Sequence, residues 1–152
     1  MSEATLPVTS LKGQYIKDLS FENPRAPESL MTLKEPPAID INVDLNAQRL
    51  NENMFELTMK ISTRAMQEKN TLFLTDLTYG GIFEVAAESE EQLERLILVN
   101  CSEILFPFAR RVVADVTRDG GFPPLQLEPV DFNGLYEQNK DRVARSQDGV
   151  SN

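Results

Sequence analysis

TLFLTDLTYGGIFEV, residues 71–85, is the stretch on which the fold turns. It holds β-forming residues almost throughout and no proline, the composition of a strand inside a sheet. Its alternation is unusual. Leu72 and Leu74 lie at one parity, Phe73, Leu77 and Tyr79 at the other, so both faces carry apolar side chains. A strand buried on both sides needs a second surface over it. In a chain of 152 residues another subunit is the natural candidate. Gly80-Gly81 marks a bulge or tight bend within it.

Reading backward, QEKN (67–70) suits a hairpin turn. Before it, Phe55, Leu57, Met59 and Ile61 alternate with Glu56, Thr58, Lys60 and Ser62, and Ile39, Ile41, Val43 and Leu45 alternate with Asp40, Asn42 and Asp44. Both runs are period-two strands with one buried face. Residues 24–37 hold four prolines and the apolar cluster Leu30, Met31 and Leu33, a long crossover loop. QYIKDLSFENP reads as a first strand ended by Pro24, and residues 1–13 as a flexible N-terminus.

Reading forward, Ser89-Glu90-Glu91-Gln92 has the form of a capping box. Leu93, Leu96, Ile97, Cys101, Ile104 and Leu105 recur at helical spacing, Pro107 kinks or restarts the helix, and Gly120-Gly121 stops it. GGFPPLQLEPVDF (120–132) is too oily for a solvated loop and too rich in proline for a strand or helix. Asp131 caps a shorter last helix through about Arg145, and 146–152 is a disordered tail. Strands followed by helices predict a single α+β domain over 14–145. Its four-stranded antiparallel sheet carries a long kinked helix and a shorter C-terminal helix on one face.

Composition narrows the function. The net charge is −9 and no basic cluster exceeds Arg110-Arg111, so phosphate-driven nucleic-acid binding is not expected. No apolar run approaches the roughly 20 residues that span a bilayer, and the N-terminus lacks a signal-peptide layout, so a cytoplasmic location is expected. There is no histidine and one cysteine, which removes His-based triads and thiolate metal cages. Cys101 falls in the helical apolar pattern and reads as a small core residue. Carboxylates alone, such as Asp18 with Glu22, remain able to do acid–base work or hold magnesium, but only their spacing speaks for an enzyme. No catalytic residues, metal or cofactor are expected. Apolar loops lining a pocket for a small hydrophobic ligand are a second reading.

Four stretches, YIKDLSFENP, TLFLTDLTYGGIFEV, EILFPFAR and GGFPPLQLEPVDF, give the chain a resemblance to the SecB family of bacterial protein-export chaperones over roughly residues 14–140. The resemblance implies an ATP-independent holdase that binds unfolded precursor polypeptides and passes them to the SecA motor. It also implies a homotetramer, a dimer of dimers. A SecB-like chaperone devoted to a toxin–antitoxin system is the related alternative, against which the acids at 18, 22 and 76 speak.

By the same resemblance, Asp18, Glu22, Leu74 and Asp76 form the SecA-binding surface, with Asp76 where the family has glutamate. Carboxylates on a rigid sheet suit a basic partner and speed its encounter. Thr75, Leu77 and Tyr79 lie at the face where the family pairs subunits. The client-binding residues it implies are Leu30, Met31 and Leu33 in the crossover loop, Ile41 and Val43 in the second strand, and Phe122, Leu125, Leu127 and Phe132 after the long helix. About half of these are expected to be core. The crossover loop lacks the tryptophan that many relatives carry.

Overall fold

The computed structural model describes residues 8–32 and 35–139. Four strands, β1 (Val8–Glu22), β2 (Ala38–Arg49), β3 (Met54–Gln67) and β4 (Asn70–Ala86), form one sheet of order β1-β4-β3-β2. Every neighbouring pair is antiparallel. A short helix α1 (Glu28–Thr32) interrupts the crossover from β1 to β2. After β4 the chain runs through α2 (Glu90–Arg95), a π-helical stretch (Leu96–Cys101) and α3 (Ser102–Asp119), then an extended segment and helix α4 over 132–139. The expected α+β architecture is the one observed.

Period two does most of the folding work. Phe55, Leu57, Met59 and Ile61 on β3 share an inner face with Leu77, Tyr79, Phe83 and Val85 on β4. Ile97, Leu105, Ala109 and Val113 from the helices close over them, with Phe132 and Tyr136 from α4, in one core. Each such side chain contributes about 1.5–3 kcal/mol by leaving water. Cys101 is part of this core, fully buried, and burial pushes its thiol up to about 12. It is the small core residue its spacing predicts.

The helix ends follow local chemistry. Gln92 donates its amide to Ser89 Oγ at 3.1 Å, while the Gln92 side chain accepts from the Glu88 amide at 2.7 Å, a capping box reaching one residue further back than usual. At the far end Phe122 donates to the Thr117 carbonyl and Gly121 to that of Arg118, with Gly121 at φ 95°. This is a Schellman stop, and the left-handed residue is the glycine it requires. Asp131 Oδ1 accepts from the Gly134 amide at 3.1 Å and caps α4 as expected. The part of that helix expected beyond Asn139 lies outside the described residues.

Several features depart from expectation. Residues 8–13 belong to β1, pairing with β4 as far as Ala86; a register shift between Leu11 and Gly13 breaks the alternation there. Gly80-Gly81 is no bulge, since both neighbours pair with it in unbroken register. The glycines admit side chains instead. A Cβ on Gly80 would sit 2.6 Å from the Tyr15 ring, and one on Gly81 would sit 2.9 Å from Leu105 Cδ1. The bulge in β4 is at Leu72, where Ala65 pairs with Phe73 but Met66 with Thr71. Leu72 and Phe73 therefore both reach the same buried cluster. Part of the two-sided apolar pattern thus has a cause within the chain. Finally, the helix continues through Pro107, and its irregularity is the π-helical stretch one turn earlier.

Candidate functional site

At the β1 C-terminal end of the sheet, three aromatic rings form a row. Phe21 and Phe73 are 5.8 Å apart between centroids, Phe73 and Phe122 4.9 Å, tilted rather than stacked, as ring quadrupoles prefer. Beside them opens an apolar cavity of about 450 Å³. Ile39, Phe73, Phe122 and Leu125 line it, walled by Pro36 and Pro37 before β2 and by Pro123 and Pro124 after α3. Prolines on both walls remove backbone donors from the lining and fix φ, so an apolar opening persists without being zipped shut by strand pairing.

One hydroxyl holds the α3-side wall. Thr117 is fully buried on the last turn of α3. Its Oγ1 donates to the Val113 carbonyl at 2.9 Å or that of Ala114 at 3.0 Å, and accepts from the Leu125 amide at 2.9 Å. A segment that cannot pair as strand is thereby tied to the helix. Opposite, Leu30 of α1 rests on Gly121, whose added Cβ would meet Leu30 Cδ1 at 2.8 Å, and Asn23 Nδ2 donates to the Gly120 carbonyl at 2.9 Å.

The residues expected to meet clients divide. Leu30, Met31 and Ile41 are exposed, Met31 at 81%. Phe122 and Leu125 line the cavity, Phe122 itself being buried. Val43 is half-buried against the main core, while Leu127 and Phe132 are buried in it, Phe132 edge-on to Phe106 at 5.7 Å. Leu33 lies outside the described residues. Ile39, Phe73, the four prolines and Glu35 complete the lining, and sequence pattern alone did not single them out as such. The Leu72 bulge is what turns Phe73 into this cluster.

The outer face of the sheet, away from the helices, is ordered by cross-strand register, because residues directly opposite share a face. Three rungs stack there: Asp18–Thr78–Lys60–Asp44, Ser20–Asp76–Ser62–Asn42, and Glu22–Leu74–Arg64–Asp40. Asp18, Glu22 and Asp76 are exposed and Leu74 is half-buried among them, so the four predicted docking residues share one surface. Ser62 Oγ donates to Asp76 Oδ1 at 2.7 Å and orients that carboxylate. Further along, Tyr15 donates its hydroxyl to Glu56 across Gly80, and Lys17 Nζ pairs with the same carboxylate at 3.0 Å. The Tyr15 bond, then Lys17, hold the Glu56 carboxyl below its usual range, while burial and the Glu56 bond push the Tyr15 phenol up to about 12.

Thr75, Leu77 and Tyr79 are buried inside the protomer, at 1%, 1% and 5% exposure. The helices cover them, so they present little surface to a second copy. On the same side of the sheet, the neighbouring β1 residues Ile16 (49%) and Leu19 (38%) are the exposed apolar ones. Among the described residues no cluster of His, Cys, Asp or Glu has the makings of a metal site, and no helix is long and apolar enough to cross a membrane.

Known proteins resemble this chain in sequence and in fold. The family model for preprotein translocase subunit SecB matches residues 2–143. Proteins named protein-export protein SecB are similar throughout. That of Rhodopseudomonas palustris strain HaA2 is 48% identical over 92% of this chain and 89% of its own length. That of Maricaulis maris is 44% identical over 98% and 87%. Among solved structures, the SecB-like chaperone of Mycobacterium tuberculosis, in complex with a ChAD peptide from the HigA1 antitoxin, superposes with a TM-score of 0.66. It covers 80% of this chain and 89% of its own at 18% identity, a likeness of fold. With a family match over nearly the whole length and relatives at this identity, the chain belongs to the SecB family of protein-export chaperones.

Proposed function

We propose that the protein is an ATP-independent holdase that captures unfolded precursor polypeptides in the cytoplasm and delivers them to the SecA motor. It works as a homotetramer and carries out no catalysis itself. The observation that carries this reading is the open groove with proline on both walls. It offers apolar surface of proline, Ile39 and Leu125 over the buried Phe73 and Phe122 rings, with Glu35 as the charged residue in its lining, and lacks the set of convergent polar groups that fixes one small ligand. Met31, Leu30 and Ile41 extend the apolar surface with flexible side chains suited to varied clients. Leu127 and Phe132 brace the wall from behind, and Val43 supports the β2 side.

SecA docks on the outer face through Asp18, Glu22, Leu74 and Asp76, so client and motor occupy opposite sides of one sheet. Subunits pair on the helix side of β1 and β4 through the exposed Ile16 and Leu19, with Thr75, Leu77 and Tyr79 as the buried backing of that face. The export role is favoured over service to a toxin–antitoxin pair, because the relatives at 44–48% identity are named for export.

The test couples capture to sizing. The purified protein should suppress aggregation of a denatured precursor without ATP and elute as a tetramer of 17.1-kDa chains, about 68 kDa. Failure to capture precursor at micromolar concentration, while a small hydrophobic dye is held stoichiometrically, would overturn the holdase reading in favour of a ligand pocket.

A further inference from the structure

Resting on the docking reading above, a charge of the wrong sign on the outer face carries a sharper statement about the partner. Apart from Glu56, which is closed onto Tyr15 and Lys17 further along β3, the acids near the docking residues flank that strand: Asp18, Glu22 and Asp76 on β1 and β4, and Asp40 and Asp44 on β2. Between them, on β3, stand Lys60 and Arg64. Arg64 is directly opposite Leu74 on one side and Asp40 on the other, one rung from Asp76. It lines a shallow hollow of about 310 Å³ with Leu74, Asp76, Ser62 and Asp40, so it belongs to the surface assigned to docking. Yet it is exposed and, among the described residues, enters no ion pair and no side-chain hydrogen bond. Lys17, on the same face, is by contrast closed onto Glu56.

A face serving only to attract cations gains nothing from a permanent positive charge at its centre, since that charge repels the partner. A guanidinium left open beside an apolar contact is a two-pronged receiver for a carboxylate. We propose that Arg64 is a specificity-determining contact of the docking face. It takes a carboxylate of the docking segment, so the segment recognised here is of mixed charge. Basic residues meet Asp18, Glu22 and Asp76, an apolar side chain covers Leu74, and an acidic group adjoins it.

The sign of one effect decides the matter. Binding of SecA to the full-length chaperone is measured by titration calorimetry for Arg64→Gln, Arg64→Glu and Arg64→Lys, with Asp76→Lys and Asp18→Lys alongside. Arg64→Gln should weaken binding by roughly three- to tenfold, Arg64→Glu further, and Arg64→Lys less, because charge is kept but the fork is lost. Capture of unfolded precursor, which uses the other side of the sheet, should be unchanged in all three. If Arg64→Glu tightens binding, or Arg64→Gln leaves it unaltered, while Asp76→Lys and Asp18→Lys weaken it, the partner is simply basic and the role of Arg64 is refuted with the docking face intact. If Asp76→Lys and Asp18→Lys also leave binding unaltered, the docking reading falls and the Arg64 inference with it.

Discussion

Replacing Thr117 by valine keeps the volume of the side chain and removes one oxygen. In the wild type that oxygen accepts from the Leu125 amide at 2.9 Å, and its own proton goes to the Val113 or Ala114 carbonyl. Both carbonyls keep their places in the helix ladder when the hydroxyl is gone. Among the described residues the Leu125 amide has no second partner. An orphaned buried amide costs about 1–3 kcal/mol, and the half-buried setting of Leu125 places the loss in the lower part, about 1–2 kcal/mol. For a chain of this length each kcal/mol moves the melting midpoint by about 2–4 °C, so Thr117→Val should melt roughly 2–8 °C lower. The comparison belongs at equal protein concentration, because association shifts the midpoint.

Hydrogen exchange supplies the local readout: the Leu125 amide should lose protection before the α3 core does. Thr117→Ser is the control, keeping the oxygen and losing a methyl group. Should Thr117→Val melt with the wild type and the Leu125 amide keep its protection, the proline-rich wall is held by packing alone and the hydroxyl is incidental.

Two further outcomes test the outer face. Gly80→Ala brings a Cβ to 2.6 Å from the Tyr15 ring, so the ring must swing off Glu56. The variant should lose about 1–3 kcal/mol in denaturant titration, and adding Tyr15→Ala should restore part of it, a non-additivity a double-mutant cycle measures directly. Tyr15 also predicts an alkaline signature. Its folded pKa of about 12 lies above the ordinary 10.0, so its contribution is complete below pH 10 and is lost as pH rises toward 12. Melting curves over that window should fall more steeply for wild type than for Tyr15→Phe, and parallel curves would show that the phenol is not protected.

Much of the architecture is written in local chemistry. The alternation of 55–62 is strong because one face of β3 packs on helices and the other meets water, and only one register satisfies both. Gln67–Asn70 closes a tight hairpin, but counting from that turn would set Arg64 against Phe73, and only the extra residue at Leu72 brings it opposite Leu74. The helix caps at Ser89, Gly121 and Asp131 are equally local.

What the pattern concealed is where tertiary packing overrides it. The bulge at Leu72 adds one residue and turns Phe73 into the groove cluster, and no local propensity marks that insertion. The first residues of β1 look like a polar tail because their partner is the far end of β4, and the register shift near Gly13 scrambles their period. The oily residues after Gly121 divide by depth: Leu127 and Phe132 are buried in the main core, while half-buried Leu125 touches both that core and the groove cluster. Leu127 and Phe132 look like Leu125 in sequence and differ only in what lies beneath them.

The bulge also sets a mechanical relation between the two faces. Phe73 belongs to the groove and Leu74 to the hollow on the far side, and one peptide bond joins them. A polypeptide seated over Phe73 would bear on the same backbone segment that carries Leu74 and Asp76. The two surfaces thus share one strand, at an irregular point where the ladder to β3 is already interrupted. If occupancy on one side shifts that strand, the free energy by which a client alters SecA affinity must equal the free energy by which SecA alters client affinity. On the proposed function, a cargo that docked the motor more tightly would, by the same measure, be one the docked motor helps to hold, and release would have to draw on a change beyond docking itself.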